Sequence, residues 1–242
     1  MAAFKPIKQT RASEEVLAQL KEAILRGQFK AGDKLPSERE LTEQFRVSRG
    51  VVREAIRVLE MTGFVTMRQG PAGGAYVTDT NFDHLSNGFL DLYLGNKLSI
   101  PELNQVRLLL EPEVARLAAL RVTPQYAQRL QSAIEAERES SADYDERMER
   151  MTQVHFILAE MCGNYLFEAI VNAIIKLTHQ IVDAVKPEDH NALHGVGEHD
   201  EVARAVIKGD AEGAARAMAA HLENFCKELI RMDQIYRGLM RY

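Results

Sequence analysis

The chain has 242 residues, of which 46% are hydrophobic and 27% charged, and its formal net charge is −5. This is enough apolar material for the cores of one or two domains, with no apolar run of the roughly 18 residues a membrane helix needs. The N-terminal stretch MAAFKPIKQTRASEE lacks the apolar centre of a secretory signal. Two distant cysteines, Cys162 and Cys226, do not make a disulfide framework, so a cytoplasmic protein without a membrane partner is expected.

Taken in chain order, residues 1–78 read as short helices followed by a strand pair. Val16, Leu17, Leu20, Ile24 and Leu25 recur at helical spacing between Ser13 and Arg26, and Gly27 follows as a stop. Ser37 and Glu40 form a capping box that opens a helix through Phe45. Ser48 caps another, running to about Met61, with Val51, Val52, Ala55, Ile56 and Leu59 inward. FVTMR and AYVT then alternate as strands around the glycine-rich QGPAGG, predicting a tight exposed hairpin.

Residues 79–98 read as a connector with a short amphipathic helix, Leu85 to Leu94. From residue 99 to 242 the periodicity is helical throughout. Helices are expected at about 101–121, 124–140, 142–162, 164–186, 189–208 and 210–240, an all-α bundle. Charge divides along the same line. Residues 1–78 hold 13 Lys and Arg against 9 Asp and Glu, a net of +4, while residues 79–242 hold 17 against 26, a net of −9. A basic module joined to an acidic one suggests a separate partner for each. The fold class expected is therefore mainly α, an N-terminal winged helix-turn-helix domain followed by a C-terminal helical bundle.

In a winged helix-turn-helix, the second helix of the turn enters the major groove and the wing touches the backbone or minor groove of double-stranded DNA. Ser48 and Arg49 open that helix, where free N–H groups and the helix dipole favour phosphate. Arg53 and Arg57 continue one face, Arg39 projects from the preceding helix, and Arg46 lies in the connection. In the wing, Arg68 and the amides of Gln69, Gly70 and Gly73 are candidates for phosphate or the minor groove. The alternative for the arginines is pairing with Glu38, Glu40, Glu43, Glu54 and Glu60 on a solvated surface.

Three of seven histidines, His155, His199 and His221, fall at expected helical positions in the second half. Converging imidazoles suit zinc, nickel or another borderline cation, although a helical histidine can equally be a satisfied core residue. His190 and His194 are spaced four apart as well, within the polar stretch KPEDHNALHGVGEH, and read as a solvated helix start. Arg107 has Glu111 four residues on, the spacing of a structural ion pair.

Residues 31–77, AGDKLPSERELTEQFRVSRGVVREAIRVLEMTGFVTMRQGPAGGAYV, resemble the N-terminal domain of the GntR superfamily of bacterial transcription regulators. The resemblance implies that Arg39, Arg49, Arg53 and Gly70 contact operator DNA. Gly50 and Val51 stand where members often carry DNA-touching threonines, and Pro71 where some carry a basic residue. These departures bear on which operator is read, not on whether DNA is bound.

VRLLLEPEVARLAALR, VHFILAEMCGN and EHDEVARAVIKGDAEGAARAMAAHL resemble the FCD ligand-binding domain of the FadR-type branch. That resemblance implies a metal in the bundle centre held by His155, His199 and His221 and by an aspartate four residues before the first. Met151 occupies the aspartate's place, and a thioether does not replace a hard, charged oxygen. Either a three-histidine site persists, completed by water or by an effector's carboxylate, or the metal is lost and the histidines bind an anionic effector directly. Arg107 matches a position that often lines the cavity and is a candidate partner for the effector.

The function expected is a ligand-responsive transcription regulator, a repressor or an activator. It would bind a palindromic operator as a homodimer, with affinity modulated by a small organic acid in the bundle. The alternatives are a metal-dependent enzyme using the three histidines and a helical dimerisation module without effector. Against the enzyme, Glu160 lies five residues beyond His155, unlike the HExxH spacing, and no nucleophile motif occurs.

Overall fold

The computed structural model describes residues 12–78, 83–139, 144–185, 195 and 197–239. These fall into two compact units divided between His84 and Leu85. The first contains α1 (Ala12–Leu25), α2 (Glu38–Phe45), α3 (Arg49–Met61) and the antiparallel strands β1 (Val65–Arg68) and β2 (Gly74–Val77). Its core is assembled from the inward stripes read in the sequence. Val16 and Leu20 of α1, Leu41 of α2, and Val52, Ala55, Ile56 and Leu59 of α3 are buried with Val65, Ala75 and Val77 of the hairpin. Leu35 joins them, and its N–H donates to the Ala75 carbonyl.

Local chemistry sets the helix ends. The Ser37 hydroxyl accepts from the Glu40 N–H while the Glu40 carboxylate accepts from the Ser37 N–H, so the expected capping box is complete. Arg46 adopts left-handed geometry, φ 54°, at the C-cap of α2, and this reverses the chain into α3. Ser48 then caps α3 by accepting from Val51 N–H.

The second unit is helical: α4 (Asp83–Leu94), α5 (Ile100–Ala119), α6 (Pro124–Glu137), α7 (Tyr144–Met161), α8 (Tyr165–Val185), α9 (Asp200–Ile207) and α10 (Ala211–Leu239). α5 packs against α7, α8, α9 and α10. Two apolar clusters lie along it. One combines Val114, Ala115 and Ala118 with Leu130, Leu158, Val202 and Leu222, and the other combines Ile100 and Leu103 with Leu177, Ile181, Phe225 and Leu229. Between them, α5 carries a buried polar run of Asn104, Arg107 and Glu111.

Two expectations change. The connector does not stand apart, because Tyr93 of α4 is buried in the second apolar cluster and its hydroxyl donates to Asp233 of α10 at 2.6 Å. The helix expected from 189 begins instead at Asp200, after a turn over 197–199, and His190 and His194 lie outside the described residues. His199 is thus the N-cap of α9 rather than a residue within a helix. Gly197 supplies the turn with φ 82°.

Removing the Tyr93 ring leaves a cavity and takes its hydroxyl from Asp233. Tyr93→Ala is expected to destabilise the helical unit by about 3 kcal/mol, read as a lower midpoint in chemical denaturation of the full chain.

Candidate functional site

On the first unit, α3 presents two chemically different faces. Val52, Ala55, Ile56 and Leu59 are buried, while Arg49, Arg53 and Arg57, at i, i+4 and i+8, are exposed with Ser48 and Gly50. Arg39 and Arg46 are exposed as well. Among the described residues Arg49 makes no ion pair, whereas Arg53 pairs with Glu38 of α2 at 3.1 Å, with 71% of its side chain exposed. The solvated-surface alternative therefore describes Arg53. An exposed pair of this kind is worth less than about 1 kcal/mol, so exchanging Glu38 for a phosphate costs little.

The wing between β1 and β2 is organised at its tip. Ala72 offers its carbonyl to the Tyr76 hydroxyl at 2.7 Å and to Lys34 Nζ at 3.3 Å. Arg68 stacks over the Tyr76 ring, 4.1 Å from its centroid. Gly70 holds φ 98°, which disfavours any side chain, and at Gly73 a Cβ would meet the Arg68 and Gly70 carbonyls at 2.7 Å. Arg68 and Gly70 are exposed, so the glycines keep the tip narrow and its backbone accessible.

In the helical unit, His155 of α7, His199 before α9 and His221 of α10 converge although they are far apart in sequence. All three are buried, and one nitrogen from each lies within 4.8 Å of the others. His155 Nε2 and His199 Nε2 are 3.0 Å apart. The ring centroids of His199 and His221 are 4.4 Å apart, and those of His155 and His221 5.4 Å.

The outward nitrogens of this cluster meet carboxylates. His199 Nδ1 lies 3.0 Å from Glu137 Oε2, with both side chains fully buried. His155 Nδ1 lies 2.6 Å from Glu111 Oε2, and His221 Nδ1 lies 3.6 Å from Glu198 Oε2 at the edge of the unit. Arg107 Nε donates to Glu111 Oε1 at 2.6 Å, and its guanidinium lies over the Phe225 ring, 4.6 Å from the centroid. The structural ion pair expected of Arg107 is present. Its Nη1 is buried without a hydrogen-bond partner, as are Asn104 Oδ1 one turn earlier and His179 Nε2 on α8.

Burial alone pushes the Glu111 carboxyl up, but the Arg107 guanidinium and the His155 ring outweigh it and hold the group well below the usual carboxylate range. Burial lowers His155 to about 3 against the pull of Glu111, and it lowers His221 as well. His179 is brought down to about 4 by burial and by the field of Arg107. Burial pushes the Cys226 thiol up to about 11, which leaves it protonated and unreactive. Burial thus favours the neutral form of His155 and His221, the form of an imidazole that can bind a metal.

Met151 is buried one turn before His155, on the same side of α7, whereas Glu149 is exposed. The α7 position that the resemblance assigns to a carboxylate holds a thioether here. The sequence reading missed two participants. Glu111 entered it only as the partner of Arg107, and Glu137 not at all. The latter had a legible sign, because it continues the inward stripe Leu130, Ala133 and Ile134 of α6, a place where a carboxylate needs a partner.

Residues 102–224 match the FCD domain, and residues 12–77 match the bacterial regulatory proteins of the gntR family. The chain is 32% identical to the HTH-type transcriptional repressor NanR of Cronobacter sakazakii over 226 residues, covering 91% of this chain and 86% of that protein. It is 31% identical to the Uxu operon transcriptional regulator of Escherichia coli, covering 93% and 91%. It is 33% identical to the HTH-type transcriptional regulator LutR of Bacillus subtilis, covering 83% and 93%. Among solved structures, a Streptococcus agalactiae GntR protein superposes with a TM-score of 0.66 at 26% identity, covering 89% of this chain and 99% of that one. These relatives are regulators, which removes the alternative of a metal-dependent enzyme. No helix among the described residues is long and apolar enough to cross a membrane. The chain belongs to the GntR family of bacterial regulatory proteins and is a DNA-binding transcriptional regulator with an FCD domain.

Proposed function

We propose that this regulator binds a palindromic operator as a homodimer and that a small carboxylate metabolite in its helical unit changes its affinity for DNA. Residues 1–78 are the DNA-binding domain in this reading, and the helical unit binds the effector and dimerises. The observation that carries the DNA half is the exposed row of Arg49, Arg53 and Arg57 on a helix whose other face is wholly buried. Ser48, Arg49 and Arg39 hold phosphates at the start of α3. Arg53 releases Glu38 to reach a base edge, with guanine as the partner suited to an arginine fork. Arg68 and the Gly70 backbone meet the DNA beside the groove. Phosphate contacts then make the affinity salt-dependent, and a second half-site supplies the contacts one α3 lacks. Repression is the mode of the NanR relative, and the same mode is assigned to this chain.

In the helical unit, His155, His199 and His221 fit a divalent cation such as zinc or nickel. They offer three buried, borderline nitrogen donors within reach of one another. Bound there, the cation would supply an open Lewis-acid position for a carboxylate. The chain's own residues do the rest. Arg107 offers the buried Nη1 donor to the effector, and Asn104 and His179 offer polar groups near it. Ligand contacts spread over α5, α7, α9 and α10 favour one packing of these helices over another, and the affinity for DNA shifts by that difference. The alternative of a dimerisation module without effector is disfavoured by this buried, incompletely paired polar layer, since an apolar centre would pack better.

Arg49→Ala is expected to weaken binding to an operator duplex selected with the wild-type chain by at least tenfold in gel shift. Folding should be unchanged, because the side chain is exposed. Unaltered affinity would remove α3 from the interface. For the sensor, a thermal-shift screen of small carboxylic acids, with and without added zinc, is expected to yield a stabilising acid whose effect depends on zinc. Such a hit raises the midpoint by mass action. The same acid should lose its effect in Arg107→Met.

A further inference from the structure

Glu111 and Glu137 face the outside of the histidine cluster, and what they do follows from where protons must sit. His199 Nδ1 is 3.0 Å from Glu137 Oε2, and His155 Nδ1 is 2.6 Å from Glu111 Oε2. A neutral imidazole carries one N–H, and a carboxylate beside Nδ1 keeps the hydrogen there. Glu137, hydrogen-bonded to Nδ1, turns the lone pair of His199 inward on Nε2, and Glu111, close to His155 Nδ1 though out of hydrogen-bond alignment, favours the same arrangement for His155. Those two Nε2 atoms face each other at 3.0 Å, close enough that one cation would be shared by both in place of an N–H···N hydrogen bond.

Charge bookkeeping points the same way. Among the described residues buried below the surface, Glu111 and Glu137 are the carboxylates and Arg107 is the guanidinium. Arg107 is engaged with Glu111. Glu137 therefore has no buried guanidinium or ammonium of its own, and it hydrogen-bonds to His199 instead. Met151, buried on α7 one turn before His155, brings none.

Resting on the reading of the three histidines as a cation site, we propose that Glu111 and Glu137 are its positioning residues. They fix His155 and His199 with Nε2 inward. They also supply, from behind the imidazoles, the negative charge that Met151 does not supply from the front. The site this makes has three neutral nitrogen donors and a remote carboxylate pair. A borderline cation such as zinc suits it better than a hard ion such as magnesium, which wants oxygen ligands directly.

The test uses the purified full-length chain, with zinc affinity read by competition against a chromophoric chelator. Glu137→Gln keeps an oxygen to accept from Nδ1–H but loses the charge, whereas Glu137→Ala loses both. The expected result is zinc binding about tenfold weaker for Glu137→Gln and up to about 100-fold weaker for Glu137→Ala. Glu160→Gln, at an exposed carboxylate paired with Arg129, should bind as wild type does. Met151→Asp introduced into the Glu137→Gln chain should restore affinity, which loss of a merely structural contact would not allow. Wild-type affinity in both Glu137 variants overturns the positioning role alone, whereas a wild-type chain that binds no zinc overturns the cation reading itself. Nitrogen-15 NMR of the histidines in the unmutated chain gives a second check that needs no variant to fold. Zinc on Nε2 of His155 and His199, with the proton on Nδ1, is expected, and zinc on Nδ1 overturns the proposal.

Discussion

Two imidazole nitrogens facing each other at 3.0 Å inside a helical bundle are the constraint around which the second unit is arranged. Neither ring can turn away, because a carboxylate sits behind each, and Glu111 is itself held by Arg107. The chain of contacts draws on α5, α6, α7 and the turn before α9, and His221 adds α10. Elements distant in sequence are thus tied through one polar layer between two apolar clusters. A buried network of this kind is weak evidence for stability, since its desolvation cost is large.

The first unit has the opposite character. Its polar residues are on the surface, and its core is apolar throughout. On α3 the ion pair to be exchanged on meeting DNA is the exposed Arg53–Glu38 pair. Affinity there rests on position, and position is set by caps and glycines: Ser48 at the head of α3, the left-handed Arg46 before it, and Gly70 and Gly73 in the wing. α4 joins the two units. It begins at Asp83 and is pinned to α10 through Tyr93 and Asp233.

Most of the first unit was legible in the sequence because its determinants are local. The Ser37 capping box, the inward stripes of α1 and α3 and the hairpin glycines all act within a few residues, and they appear where the spacing places them, save Leu25 at the end of α1, which is exposed. The histidine cluster was legible only as three candidates, since convergence depends on the packing of α7, α9 and α10. The resemblance brought them together, whereas spacing alone could not. Glu137 escaped notice because its partner is 62 residues away, although a carboxylate on an apolar stripe was a sign of it. The start of α9 was misplaced because helical periodicity carried across Gly197, where positive φ makes a turn. Arg53 shows the reverse case: its face was read correctly, but its pairing with Glu38 depends on how α2 crosses α3.

Whether a cation lies among the three histidines decides what the buried polar layer is for. Crystals of the full chain grown with zinc, with anomalous diffraction measured on both sides of the zinc edge, address it directly. The expected result is a single anomalous peak about 2.0–2.1 Å from one nitrogen of each of His155, His199 and His221, on the Nε2 side of the first two. No peak at that position, with the two Nε2 atoms still in contact, would contradict it.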